Sequence, residues 1–308
     1  MRIAVALVLP LLACTSSSST VATGELGEWH VAAAMPTPRA NHCSAAIGDW
    51  VLVIGGNYMA SDGFVKTDEI HAAKLSPDGT LGNWQLAGRT PSPVTECNAT
   101  SDADSLFIVD GIYDREEDSR KVWTATLDDS GMLGALSPMG TLPDIAISTE
   151  AAVRNGELIV MKTKVPANDS GQTVALTSPV ASLTWSTHDL QIGFRAQAEY
   201  AFSDHFIYTV GGYHDTTVGV LPDVSLSPLA GGAAIATTSL PQPVGFGEAT
   251  VVDEWLFVVG GRAQVFGAPG TTQVYAAPLA ADGTVGAWTS TLALPMARTN
   301  HDLVLAGD

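Results

Sequence analysis

Positive charge is scarce in this sequence. Its 308 residues hold 14 Lys and Arg against 32 Asp and Glu, a formal charge of −18. A surface this acidic repels phosphate backbones and argues against nucleic acid as a partner. Cysteine is scarce as well: only Cys14, Cys43 and Cys97 occur. There is no Cys-x-x-Cys, no His-Glu-x-x-His, no Gly-x-Ser-x-Gly elbow and no phosphate loop, so the common local signatures of zinc, hydrolase and nucleotide chemistry are missing. Beyond the N-terminus no run of 18 apolar residues exists, so the chain has no internal membrane span. With 46% hydrophobic and 15% charged residues the chain is not disordered. Thirty Gly and seventeen Pro without a collagen period point to many turns rather than long helices.

The N-terminus differs from the rest. Arg2 supplies a positive start, and Ile3 to Ala13 is apolar but too short to span a bilayer, as in a secretory signal. It ends Leu11-Leu12-Ala13-Cys14, which resembles the bacterial lipoprotein signal. That resemblance implies cleavage of residues 1–13, lipid on Cys14, a flexible tether over 14–23 and a place in the bacterial cell envelope. Thr15 in place of Asp favours the outer membrane. Cleavage would remove Arg2 and no acid, moving the charge from −18 to −19. Membrane contact would then be through the lipid alone.

Self-similarity dominates residues 24–308. Five apolar stretches begin at Val51, Leu106, Leu158, Ile207 and Leu256, at spacings of 55, 52, 49 and 49. Three end in a glycine pair, Gly55-Gly56, Gly211-Gly212 and Gly260-Gly261; two depart from it, at Asp110-Gly111 and Lys162-Thr163. Asp78-Gly-Thr-Leu-Gly-Asn-Trp84 matches Asp282-Gly-Thr-Val-Gly-Ala-Trp288, and Gly24-Glu-Leu-Gly-Glu-Trp29 is a shorter relative. Asp-Gly suits a tight turn with positive φ, and the Trp suits packing between sheets. Near Ile235 the fourth unit lacks its Trp. A unit of about 50 residues with four short strands predicts a β-propeller blade, and the chain an all-β fold. Five full blades run from His42 to Trp288. Trp29 as an outer strand and His301 to Leu305 as an inner one supply half of a sixth, with its middle strands missing. On the repeat spacing the chain stops about 20 residues short of a closed six-bladed ring.

The glycine-pair strand, the downstream Trp and the lead Pro38-Arg39-Ala-Asn-His42, echoed at Pro295-Met-Ala-Arg298-Thr-Asn-His301, together resemble the kelch-repeat family over residues 24–308. The rival resemblance is to sialidase-type propellers, whose Asp-boxes share residue types with Ser76 to Trp84. The copper-radical oxidase whose propeller kelch repeats resemble needs a Tyr–Cys crosslink, and nothing here matches its ligand set.

Aligning the units puts Cys43, Asn98, Glu150, Glu199, Glu248 and Asp302 in one column of the inner strands, which line the central channel. Four acids converging there would hold water, accept backbone hydrogen bonds, bind a cation with calcium as the better guess, or take a polar ligand. Arg39, Arg195 and Arg298 form a second column, four residues earlier, that bridges blades or clamps an acid. His42 and His301 occupy matched positions suited to packing. Cys97 is offset by one residue from Cys43, which directs the two thiols to opposite sides of their strands and argues against a bridge. Loops after the second strands, at 57–67, 113–120, 213–222 and 262–272, carry Tyr58, Met59, Phe64, Tyr213, His214 and Phe266, a contact surface of the kind interfaces use. No catalytic residue and no cofactor beyond that calcium is indicated. The reading is a binding module for protein or carbohydrate. Because some bacterial kelch proteins are sugar-acid epimerases, the resemblance implies an enzyme using the channel acids and arginines as the alternative. A structural envelope component is the third.

Overall fold

The computed structural model describes residues 2–6, 12–14 and 24–307, apart from 62, 144–146, 165–170 and 215–218; the expected tether at 15–23 and residues 7–11 of the expected signal lie outside it. The chain is all-β. One turn of 3₁₀ helix at Glu116–Asp118 is the only helix among the described residues, and none is long and apolar enough to cross a membrane.

Five four-stranded antiparallel sheets each come from one contiguous stretch, in the order inner to outer. Blade one is Cys43–Ile47, Trp50–Ile54, Glu69–Lys74 and Gln85–Arg89. Blade two is Asn98–Asp102, Ser105–Val109, Lys121–Thr126 and Ser137–Thr141. Blade three is Ile147–Arg154, Glu157–Lys164, Gln172–Pro179 and Ser186–Asp189. Blade four is Glu199–Phe202, Phe206–Val210, Val224–Pro228 and Ile235–Ala236, and blade five Glu248–Val252, Trp255–Val259, Val274–Pro278 and Thr289–Ser290. The inner strands neighbour one another in a closed round, so the arrangement is a β-propeller.

A sixth sheet closes the circle. It runs Asp302–Ala306, Arg2–Ala6, Leu12–Cys14, Trp29–Val31. The half-blade expected from the sequence is present at both margins. Its two middle positions are not empty, however: they are taken by the apolar N-terminal stretches that the sequence reads as a signal. Ala4 pairs with Val304, and Ala13 with His30. An inner strand with a free edge pairs with whatever extended apolar segment reaches it.

Apolar residues of the second and third strands fill the spaces between blades. Leu52, Ile54, Leu106 and Ile108 are buried between blades one and two, and Val210, Leu226, Leu256 and Val258 between blades four and five. The conspicuous Trp residues join outer strands. Trp29, Trp84, Trp185 and Trp288 each donate the indole N–H to a backbone carbonyl of the preceding sheet or the segment leaving it, at Leu292 (3.1 Å), Ala33 (3.0 Å), Thr141 (3.1 Å) and Thr238 (2.9 Å). Trp185 extends the Trp landmark to blade three.

The glycine pairs have a specific task. Gly55, Gly211 and Gly260 have φ of 61°, 61° and 64°. A Cβ there would press on the carbonyl oxygen of Val94, Val244 or Arg298 in the next sheet or its lead. The second glycine donates its N–H to that same carbonyl: Gly56 to Val94 (2.8 Å), Gly212 to Val244 (2.9 Å) and Gly261 to Arg298 (2.8 Å). Each acceptor lies four residues before a channel residue. Left-handed φ and a missing Cβ bring two blades into backbone contact.

Candidate functional site

The inner-strand column predicted from the repeat exists. Cys43, Asn98, Glu150, Glu199 and Glu248 pair with Ile54, Val109, Met161, Val210 and Val259, the last apolar residue of each second strand. Glu199 is 7% exposed, and Glu150, Glu248 and Asp302 are half-buried. Burial pushes the Glu199 carboxyl up to about 8, opposed by its hydrogen bond from Gly247 N–H (2.7 Å) and reinforced by Glu150. Burial likewise takes Glu150 up to about 8, with a hydrogen bond from Ala151 N–H (3.1 Å) opposing and Asp302 reinforcing. Glu248 rises well above its usual range through burial and then through Glu150, Asp302 and Glu199. The four acids therefore share one electrostatic neighbourhood on the channel axis.

A cavity lies on either side of them. The wider, about 620 Å³, opens among the segments that lead into the inner strands and those that follow Asp110. The narrower, about 250 Å³, lies further along the inner strands, among Ser101, Arg154, Thr250 and Leu305. Glu150, Glu248, Asp302, Cys97 and Asn98 line both and form the waist. Two residues before the channel column, Asn41, Glu96, Gln197, Phe246 and Asn300 all adopt positive φ, between 49° and 63°. They rim the wider cavity, and Glu96 N–H to Asn41 O (2.8 Å) and Asn300 N–H to Phe246 O (2.8 Å) link successive leads. In the sequence only Asn41 and Asn300 stand out as matched; Glu96 and Phe246 break the run of amides and hide the rest of the column.

The arginines do not join the acids: none lines the wider cavity. Arg39 is 1% exposed and donates to Gly55 O (3.1 Å), Glu69 O (3.3 Å) and the Glu69 carboxylate (3.4 Å). Arg195 donates to Gly211 O (2.9 Å). Each side chain holds the first glycine of its own blade, so these two arginines brace single blades and do not bridge successive ones as expected. Arg298 is half-buried, and its backbone carbonyl receives Gly261.

The histidines line the wider cavity in different states. His42 Nδ1 meets Asp302 Oδ2 at 3.2 Å, linking blade one to the sixth sheet. His301 is 4% exposed, and neither ring nitrogen has a hydrogen-bond partner. Burial pushes it down to about 4, with Asp302 opposing and Arg298 assisting.

The sequence argued against a Cys43–Cys97 bridge, and the structure forms it, with Cα atoms 5.4 Å apart. Cys97 precedes the strand Asn98–Asp102 and follows Glu96 at φ 53°. The alternation argument assumed a regular strand through Cys97, and the left-handed residue breaks it. Of the loop residues, Met59 and Phe64 face each other across the hairpin Asn57–Ala60/Gly63–Lys66 and are 65% and 73% exposed; Phe266 is 73% exposed. Tyr58 is half-buried. Tyr213 stacks on Phe246 (6.1 Å between centroids), and His214 Nδ1 lies 2.7 Å from Phe194 O. Tyr213 thereby packs on a residue that lines the wider cavity.

No family model matches the sequence, and no curated protein does. Among solved structures, YjhT resembles the chain with a TM-score of 0.66 and 14% identity, over 91% of each chain. At that identity the likeness concerns the fold, and it agrees with the propeller read from the strand order.

Proposed function

We propose that this chain is an exported, lipid-anchored propeller of kelch type that acts as a non-catalytic binding module, taking its ligand at the wider cavity. The observation that carries this reading is the cavity itself. A space of about 620 Å³ is of the size that binds small molecules. It opens among the lead segments and the Ile112 loop, where a propeller presents its variable residues. Carboxylates and amides line it, with no Lys or Arg among them, so an acidic substrate finds no counter-charge there. That weighs against a sugar-acid enzyme and for a ligand rich in hydrogen-bond donors, such as a carbohydrate or a basic protein segment.

A pull-down from envelope extract beside a glycan array tests the reading. Capture should fall when Phe246 is replaced by Ala and when the 213–222 loop, whose Tyr213 packs on Phe246, is exchanged for a short turn. Capture indifferent to both overturns it. Anchoring is tested separately: Cys14→Ala should move the protein from the membrane to the soluble fraction. Cleavage before Cys14 would also remove Arg2–Ala6 from beside Asp302–Ala306, leaving that inner strand to find another partner.

A further inference from the structure

The ligand class can be narrowed, resting on that binding reading, by the groups that reach solvent at the rim of the wider cavity. The rim column takes left-handed φ at all five of its positions. Asn tolerates that conformation, and Asn41 and Asn300 follow the rule; a bulky aromatic seldom adopts it. Phe246 does, at φ 63°. Its neighbours hold it there. The Arg262 guanidinium carbon lies 3.8 Å from the ring centroid, and the Tyr213 ring stacks at 6.1 Å with 24° between the planes. All three residues are half-buried, so the stack is braced and still partly open to solvent. The other four members of the column, Asn41, Glu96, Gln197 and Asn300, are exposed and line the same cavity. A carboxamide both donates and accepts, as a hydroxyl does. Asn41 donates to Asn57 Oδ1 (3.0 Å) and Asn300 accepts from the Thr299 hydroxyl (2.7 Å), which orients both amides and leaves each with further capacity. Glu96 and Arg262 carry opposite charges, so the rim has no net sign. Deeper in, burial keeps Glu150 and Glu199 largely protonated near neutral pH, and a neutral carboxyl also donates and accepts. An aromatic stack beside donor–acceptor groups of no net charge suits a pyranose ring, whose C–H face packs on the aromatics while its hydroxyls meet the amides. A basic peptide would need a net negative rim.

We propose that the rim of the wider cavity binds a neutral oligosaccharide, one sugar ring packed against the Tyr213–Phe246 stack and its hydroxyls hydrogen-bonded to Asn41, Gln197, Asn300 and Arg262. Isothermal titration of the full chain with maltohexaose, cellohexaose, chitohexaose and mannohexaose, beside decalysine and hexagalacturonate, tests this. Saturable binding of at least one neutral hexaose is expected, changing little between about 0.05 and 0.5 M salt because no ion pair is formed. Tyr213→Ala and Gln197→Ala should each weaken it several-fold. Phe246→Asn is the sharper variant: Asn suits the left-handed φ, as at Asn41 and Asn300, so the fold should hold while affinity falls about tenfold. Melting curves verify that the variants fold, and Arg262→Gln replaces any that does not. No binding of any neutral hexaose, tighter binding of decalysine or hexagalacturonate, or affinity unchanged in both Phe246→Asn and Gln197→Ala overturns the proposal. If the hexaoses fail while capture from extract still depends on Phe246, the binding reading stands without the sugar. If capture fails too, both fall.

Discussion

Blades one and two meet the channel in a different way from blades three, four and five. In the first pair the channel column holds Cys43 and Asn98, neutral residues, and the two blades are joined covalently through Cys43–Cys97. In the other three the same column holds Glu150, Glu199 and Glu248, whose carboxyls oppose one another. One arc of the ring is tied and the other is acidic, its carboxyls held largely protonated near neutral pH by burial. The difference teaches that the repeat constrains the backbone and leaves the inward side chain free. A position pointing into a wet channel has no packing partner to satisfy, so function can claim it.

The stitch between blades shows the complementary rule. Where the glycine pair survives, a backbone N–H reaches the next lead. Blade three has Lys162-Thr163, stays extended through Lys164, and makes the same connection with a side chain: the Thr163 hydroxyl donates to Arg195 O at 3.0 Å. Blade two keeps the left-handed φ at Asp110 (60°), and its carboxylate meets Lys162, which is fully buried. The two units that depart from the pair are neighbours, and their departures face each other as opposite charges.

The largest expected effect concerns the acidic arc. Glu150 and Glu199 have folded pKa values near 8 against an ordinary 4.5, so the folded state binds more protons in between. Stability is greatest below pH 4.5 as far as these groups are concerned and is lost as pH rises through 8, on the order of a few kcal/mol in total. His301, lowered to about 4, acts oppositely and costs stability as pH falls from 6.5 toward 4. Urea denaturation from pH 5 to 9 should show stability falling up to about pH 8, more steeply above pH 6.5 where His301 no longer offsets the acids, and Glu199→Gln should lessen the fall. A flat profile in the unaltered chain would remove the distinction between the arcs.

Reduction tests the tied arc. The bridge closes a 54-residue separation, and opening it should cost about 4 kcal/mol on the chain-entropy account, read as a lower denaturation midpoint with reductant. Mass measurement with and without alkylation verifies that the bond is present. Gly211→Ala should cost about 3 kcal/mol, because the residue needs positive φ and its Cβ would press on Val244 O.

Lys162→Met should cost about 2 kcal/mol by leaving the half-buried Asp110 without its ion pair. The double variant with Asp110→Asn should recover most of that loss if the pair acts as a unit. Thr163→Val is the mildest, about 1 kcal/mol for one hydrogen bond. No change in denaturation midpoint would mean that the blade-three stitch has no energetic counterpart to the glycine N–H.

Much of this was legible in the residues. The 49-residue interval of Glu150, Glu199 and Glu248 located the channel acids, because a repeated backbone places equivalent positions in equivalent surroundings. The Asp-Gly turns were legible too: Gly79 and Gly283 have φ of 86° and 84°, and Asp78 and Asp282 cap Thr80 and Thr284. The arginine column was legible, while its partners, carbonyls and the Glu69 carboxylate within the same blade, were not, because only the fold places them. The bridge and the unpartnered His301 were illegible, because one depends on a single left-handed residue and the other on what fails to lie nearby.

What the sequence alone determined is the blade: alternation, turn residues and a period are local properties that any one unit displays. The tertiary structure decided which groups meet at the centre and in what protonation state. Charge, burial and pairing across the axis are sums over blades roughly 50 residues apart, and no single unit contains them.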